Sequence, residues 1–446
     1  MVVRDKTTFN PAKILVLGFL SLILIGTILL SLPIAVNGDR VPLLDAIFTA
    51  TSAVCVTGLV VVDTGTTFTM FGQTVIMVLI QMGGLGFMTV ATLIFMALGR
   101  KITLKERIVI QQQFNQFDLQ GLVRLVKYII FLTLIVEGIA AIILGFRFTQ
   151  LLDLDYATGM FYGLFHSISA FSNAGFDIIG EYRSLTPFVE DPIISIIIPL
   201  LFIFGGLGFT VLVDLKRSRN LKRLSFHSKV SLLITSILLV IGFFVVLILE
   251  WNNPETLGAV DSGSKIWSAF FTGATPRTAG YNVLPTDELT NPTTLFLMVL
   301  MFIGASPAST GGGIKTTTFG TLLLTVNAVI RGTHDVNFLE RRIPYSLINK
   351  ALAIIFISLV LVFIVATLLM ITENATFEET LFETISAFGT VGLSKGITPN
   401  LTPVGKAIVI VTMFIGRLGP LTLAFAFARG KEKTGVRYPE ERLLIG

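Results

Sequence analysis

Four short stretches of this chain end alike: an apolar helical run, a few small polar residues, then one glycine, mostly followed by a large apolar residue. They read Ser52-Ala-Val-Cys-Val-Thr-Gly58-Leu59, Ser169-Ala-Phe-Ser-Asn-Ala-Gly175-Phe176, Thr272-Gly-Ala-Thr-Pro-Arg-Thr-Ala-Gly280-Tyr281 and Ser386-Ala-Phe-Gly-Thr-Val-Gly392-Leu393. The stretches recur roughly every 110 residues, so one unit is used four times along the chain. A fourfold repeat lets a single polypeptide surround an axis, which makes a pore the first architecture to consider.

The surroundings of the motifs are those of a membrane protein. Hydrophobic residues make up 53% of the chain and charged residues only 14%, against about a quarter charged in soluble domains. Apolar runs at 14–32, 75–98, 126–144, 193–213, 230–249, 351–371 and 407–428 are long enough to cross the bilayer, which takes about 20 helical residues. An eighth run, 294–330, is interrupted. The first run is too long for a cleavable signal peptide and leads directly into the first motif. The single Cys55 has no partner for an internal disulfide and reads as a small packing residue. Most of the 33 basic residues fall at the N-terminus and in the loops 99–127, 216–229, 331–350 and 429–442. That bias predicts a multi-pass protein of the cytoplasmic (inner) membrane with both termini cytoplasmic. The excess of positive charge then needs no nucleic acid, and the acidic outer face would concentrate cations.

Between the long runs lie short apolar segments, 42–52, 157–170, 265–272 and 377–387. They cannot span and are predicted to be re-entrant. Irregular backbone at membrane depth is tolerated only where protein buries it or water reaches it, so four such loops imply one shared cavity. The predicted fold is an all-α membrane protein of four helix–pore loop–helix repeats, with eight spanning helices around a central pore. The repeats are 1–112, 113–224, 225–340 and 341–446. A second signature follows each motif glycine by roughly 25 to 30 residues: Gly83-Gly84-Leu85-Gly86, Gly205-Gly206-Leu207-Gly208 and Gly416-Arg417-Leu418-Gly419, with Gly304 in the third repeat. Small residues of this kind allow close helix packing in lipid.

A dehydrated K+ requires several oxygens in place of its water shell, and backbone carbonyls aimed at one axis can supply them. Glycine provides the backbone geometry at little steric cost, and re-entrant helices would turn their negative C-terminal ends towards the ion. The predicted carbonyl ring is Val56, Thr57 and Gly58; Asn173, Ala174 and Gly175; Thr278, Ala279 and Gly280; Thr390, Val391 and Gly392. K+ would be held there as substrate, with no covalent cofactor. Arg277, a cation inside a cation filter, either reaches the axis or points behind the loop to a carboxylate or carbonyls. Asn173 either contacts the ion by its side chain or braces the loop.

The third inner segment departs most from the repeat. Gly304, Ala305, Ser306, Pro307, Ala308, Ser309, Thr310, Gly311, Gly312, Gly313, Ile314 and Lys315 cannot continue a stable straight helix. They are predicted to form a loop below the filter that bars the pathway. The Gly-Gly-Ile-Lys-Thr order lacks the Gly-Lys-Thr of a phosphate-binding loop, and no strand precedes it. Arg417 occupies a slot that is glycine in the other repeats. An intramembrane Arg is costly unless it faces a cavity or a partner. It is predicted to bond the carbonyls of 304–318 and hold the pore shut; pairing with Glu137 is the alternative. Lys315 either serves the gate or snorkels to the interface.

These motifs resemble the membrane subunit of the Ktr/Trk/HKT superfamily of potassium transporters, closest to the bacterial KtrB type, across essentially the whole chain. The four glycine motifs resemble degenerate copies of the K+ channel Thr-Val-Gly-Tyr-Gly filter, each keeping one clear glycine. The resemblance implies that Gly58 marks the K+-selecting branch, that 304–318 is the intramembrane gating loop, and that an Arg is common at the position of Arg277. It also implies a homodimer, with the tail 440–446 at its interface, and a cytosolic ring of nucleotide-binding RCK subunits (KtrA type) on the basic face. The implied activity is K+ uptake through the filter. The alternatives are a Na+-coupled K+ symporter or a less selective Na+/K+ uniporter, with Na+ as the coupled or activating ion. An intramembrane hydrolase, the reading from a different class, would need a nucleophile–base or metal pair, and no such constellation stands in the sequence.

Overall fold

The computed structural model describes residues 10–427 except 99, 101, 114–120 and 219, together with 439 and 441. Four long outer helices cross the bilayer: Pro11–Leu30, Leu122–Leu151, Phe226–Glu250 and Tyr345–Thr372. Three of them start at a defined signal. Asn10 accepts from the backbone N–H groups of Ala12 and Lys13, and the Ser225 hydroxyl accepts from Ser228. Pro344 precedes Tyr345 and stops any upstream helix from running on.

After each outer helix the chain re-enters as a short pore helix: Leu43–Cys55, Tyr156–Phe171, Ser264–Ala274 and Phe377–Gly389. Asp155 caps the second, and a reciprocal Thr376–Glu379 capping box starts the fourth. Every pore helix completely buries a phenylalanine at an equivalent position, Phe48, Phe165, Phe271 and Phe382, and the second and fourth also bury Phe171 and Phe388. In lipid the gain comes from close van der Waals packing rather than from leaving water, and the four rings anchor the re-entrant helices at equivalent positions.

The inner helices differ from the straight spans predicted for repeats 1, 2 and 4. Met70–Leu85 turns by 99° into Phe87–Leu93, Pro192–Gly206 by 94° into Phe209–Ser218, and Pro403–Leu418 by 91° into Pro420–Phe427. The breaks fall at Gly86 (φ 84°), Gly208 (φ 93°) and Gly419 (φ 82°), in left-handed backbone that side chains resist. The glycine signatures therefore do more than permit close packing. In the third repeat the interruption is wider, with Asn291–Phe302 and Thr316–Ile330 joined by a loop. Breaking the inner helix is thus common to all four repeats, and the third differs in the length of its break.

Candidate functional site

The four pore helices all end in left-handed backbone. Val56 (φ 57°), Asn173 (φ 59°), Thr278 (φ 67°) and Thr390 (φ 50°) are followed two residues later by Gly58, Gly175, Gly280 and Gly392, also at positive φ. The residue between them donates its N–H back into its own pore helix. Thr57 bonds Ser52 O (2.8 Å), Ala174 bonds Ser169 O (2.8 Å), Ala279 bonds Thr275 O (3.0 Å) and Val391 bonds Ser386 O (2.9 Å). With the N–H groups satisfied outward, the carbonyls are free to face the other way.

The four segments adjoin one another in a ring. A methyl group added at Gly58 would strike Ala174 O; at Gly175, Ala279 O; at Gly280, Val391 O; and at Gly392, Thr57 O. Each glycine is seated against the next repeat's middle carbonyl, in chain order, and the fourth closes on the first. The predicted filter residues are therefore brought together around one axis.

Hydroxyl groups missed at the sequence level brace this ring. Ser52 Oγ accepts from Gly58 N and Ser386 Oγ from Gly392 N, both at 3.1 Å. In the other two repeats the hydroxyl instead donates to the residue after the glycine: Ser169 Oγ to Phe176 O (2.7 Å) and Thr275 Oγ1 to Tyr281 O (2.6 Å). Phe176 O also accepts from the Tyr281 hydroxyl at 2.8 Å. Two of the four carbonyls above the glycine layer are thus drawn away, and fourfold order ends there. The Ser or Thr shortly before each glycine was the available signal. Repeat 3 uses Thr275 rather than the aligned-looking Thr272, because its filter segment is one residue tighter.

Directly beneath lies the loop of repeat 3. Ser306 N bonds Gly206 O (3.0 Å), Thr310 N bonds Gly205 O (3.2 Å) and Phe209 N bonds Ala308 O (2.8 Å), fixing the loop to the broken inner helix of repeat 2. Ala305 N reaches Gly312 O and Thr316 N reaches Ala305 O, so the loop also closes on itself. A methyl group at Gly311 would strike Thr278 Oγ1, and one at Gly312 Thr390 Oγ1. The loop is therefore pressed against the lower edge of the filter.

Three cations surround it. Arg417 donates to Thr310 O in the loop and to Gly83 O and Gly84 O of the first inner helix. One guanidinium thus ties repeat 4 to repeats 1 and 3. Glu137 is not its partner: the carboxylate accepts from Gln81 Nε2 at 3.1 Å. Arg277 is buried, and its guanidinium donates to Gly304 O (3.4 Å), a carbonyl and not a carboxylate. Lys315 does not snorkel to the interface but folds onto Gly311 O (2.7 Å) and Gly312 O (3.3 Å). Six loop or inner-helix carbonyls thus accept from positively charged side chains.

Residues 6–434 match the TrkH family, described as cation transport protein. The chain is 48% identical over 438 residues to Ktr system potassium uptake protein B of Bacillus subtilis, covering 98% of this chain and 97% of that protein. It is 36% identical to potassium/sodium uptake protein NtpJ of Enterococcus hirae, covering 99% of each. In structure it matches the potassium transporter TrkH from Vibrio parahaemolyticus with a TM-score of 0.74 at 17% identity, covering 96% of this chain and 86% of that one.

Proposed function

The chain belongs to the TrkH family of cation transport proteins, and from that premise we propose that it carries K+ into the cell through the ring of filter carbonyls. One observation carries the reading: four glycines, each seated against the next repeat's carbonyl in a closed cycle. Such a ring supplies oxygens without fixed charge, at a spacing set by packing rather than by flexible side chains. A K+ ion entering from outside would exchange water for the carbonyls of Val56, Thr57, Gly58 and their equivalents in the other repeats. It would leave downwards only when the 304–315 loop moves aside.

In this mechanism the loop is the barrier and Arg417 its lock. A guanidinium beneath a cation filter opposes K+ by its charge, and its bonds to Thr310, Gly83 and Gly84 keep the loop under the filter. Regulation would come from a cytosolic nucleotide-binding RCK ring (KtrA type) docked on the basic face, with the membrane subunit as a homodimer. The name of the Bacillus relative, a Ktr system protein, supports a multi-subunit assembly. The tail 440–446, expected at the dimer interface, falls outside the described residues apart from Glu441.

A second reading, Na+-coupled or Na+-activated K+ uptake, is favoured by the likeness to a potassium/sodium uptake protein. Rubidium uptake into proteoliposomes, with and without Na+, separates the two. The same assay with Gly58, Gly175, Gly280 and Gly392 changed singly to Ser tests the filter. Each change should cut uptake sharply, and four variants equal to the parent protein would overturn the filter assignment.

A further inference from the structure

Asn173 stands at the lower edge of the filter, fully buried, and each of its polar atoms is bonded. Its Nδ2 donates to Arg277 O and to Thr278 Oγ1, both at 3.4 Å. Its Oδ1 accepts from the hydroxyl of Thr310, at 2.7 Å. The direction of the amide is fixed by chemistry, because the Arg277 carbonyl can only accept and so must face the nitrogen. The oxygen is left for Thr310. Thr310 belongs to the barrier loop, and its carbonyl is the one that Arg417 holds. Its hydroxyl also lies 3.3 Å from Phe171 O, at the end of the same pore helix.

The other residues at the level of Asn173 are Val56, Thr278 and Thr390. Thr390 Oγ1 is buried and has no hydrogen-bond partner, and it faces Gly312 of the loop. Thr278 Oγ1 faces Gly311 in the same way. Three side-chain oxygens from three repeats are therefore gathered under the filter, and the closed loop covers all three. Building on the K+-uptake reading, we propose that Asn173 and Thr310 form a latch joining gate to filter. With the loop in place, the amide oxygen is spent on Thr310. When the loop withdraws, Asn173 Oδ1, Thr278 Oγ1 and Thr390 Oγ1 become an innermost monovalent-cation site that does not exist in the closed state. Opening and ion choice are then one event, since removing the barrier also completes the ligand shell.

Thr310→Val keeps the shape of the side chain and removes its hydroxyl; Thr310→Ser keeps the hydroxyl. Both are compared with the parent protein in proteoliposomes for rubidium uptake and for its inhibition by Na+. Correct folding is checked by the detergent-solubilised protein's melting temperature in K+. Losing one buried hydrogen bond should raise unstimulated uptake of Thr310→Val by up to about tenfold and change the Na+ inhibition constant in the same variant. Thr310→Ser should restore both. Asn173→Ala should also raise unstimulated uptake, but should alter Na+ inhibition more than Thr310→Val does because it removes a ligand of the innermost site, and adding Thr310→Val to it should raise uptake no further. A rise in uptake with unaltered Na+ inhibition would reduce the pair to a simple fastener and overturn the coupling. No change in either quantity would overturn the latch while leaving K+ uptake intact. Parent protein without rubidium uptake would overturn the transport reading and the latch with it.

Discussion

Lys406, in the first turn of the last inner helix, donates to Asp45, in the first turn of the first pore helix, across 2.6 Å and 361 residues of chain. The two ends of a linear polypeptide are thereby joined at the outer rim, where repeat 4 meets repeat 1. Filter contacts close the same seam deeper down, with Gly392 seated against Thr57. Covalent connection orders repeats 1 to 4, but only non-covalent contacts turn that row into a ring.

The seam should be sensitive to loss of either partner. Asp45 is only 8% exposed, so Lys406→Met would leave a mostly buried carboxylate without its cation. A loss of about 3 kcal/mol is expected for breaking such a pair. Thermal unfolding in detergent should show it, and Asp45→Asn combined with Lys406→Met should recover part of the loss.

Arg417→Ala removes charge-assisted bonds to three carbonyls in two repeats. Such bonds contribute roughly 1.5–3 kcal/mol each where they form, so unstimulated K+ flux is expected to rise roughly tenfold to hundredfold. Arg417→Lys should fall between the two, because an ammonium cannot span Thr310 and Gly83 as a planar fork does. Unchanged uptake in the alanine variant would end its role as lock.

The inner-helix breaks allow a cleaner test of backbone conformation. A methyl group at Gly419 meets nothing closer than Thr422 Oγ1 at 3.9 Å, whereas one at Gly86 runs into Gln113. Gly419→Ala therefore reports only the cost of its positive φ, about 1–3 kcal/mol. Gly86→Ala should cost more, since it also displaces the Gln113 side chain that bonds Met88 N and Leu85 O. Melting temperatures of the two variants rank them.

Asp177 lies two residues beyond Gly175, on the loop that follows the second pore helix. Burial pushes its carboxyl up to about 7, the Ile179 N–H pulls the other way, and nearby Asp63 adds to the rise. The folded state thus holds this proton more tightly than the unfolded chain does. Its contribution to stability falls as pH rises from the ordinary value of 3.8 to about 7. Above that pH a carboxylate stands at the mouth and favours cation entry. Uptake at low K+ should rise between about pH 6 and about pH 8, and Asp177→Asn should flatten that dependence.

The re-entrant segments and the interruption of the third inner helix were legible because each rests on local chemistry: run length, glycine, proline. The motif glycines even sit in the conformations their lack of a Cβ suggests. Partner choice was harder. Glu137 and Arg417 are both ionisable side chains at membrane depth, and nothing along the chain says that Gln81 takes one and backbone carbonyls the other. The bends at Gly86, Gly208 and Gly419 were hidden because the residues on either side remain apolar, so hydropathy reads each bent pair as one span. The bracing role of Thr275 was obscured by a one-residue shortening of repeat 3, which no composition argument detects.

Arg417 is present once per pathway, and that is something four identical subunits could never achieve. A homotetramer with arginine at this slot would crowd four guanidinium groups around one axis, each repelling its neighbours. Even in water, like charges 4 Å apart cost about 1 kcal/mol per pair. With glycine at the slot in every subunit, no side chain there would reach the Thr310 carbonyl. Fusing the copies into one reading frame lets each position round the ring vary independently, so a charge can be introduced at one quadrant while three stay silent. In the proposed mechanism, a single chain thereby confines the controlling charge to one quadrant of the ring.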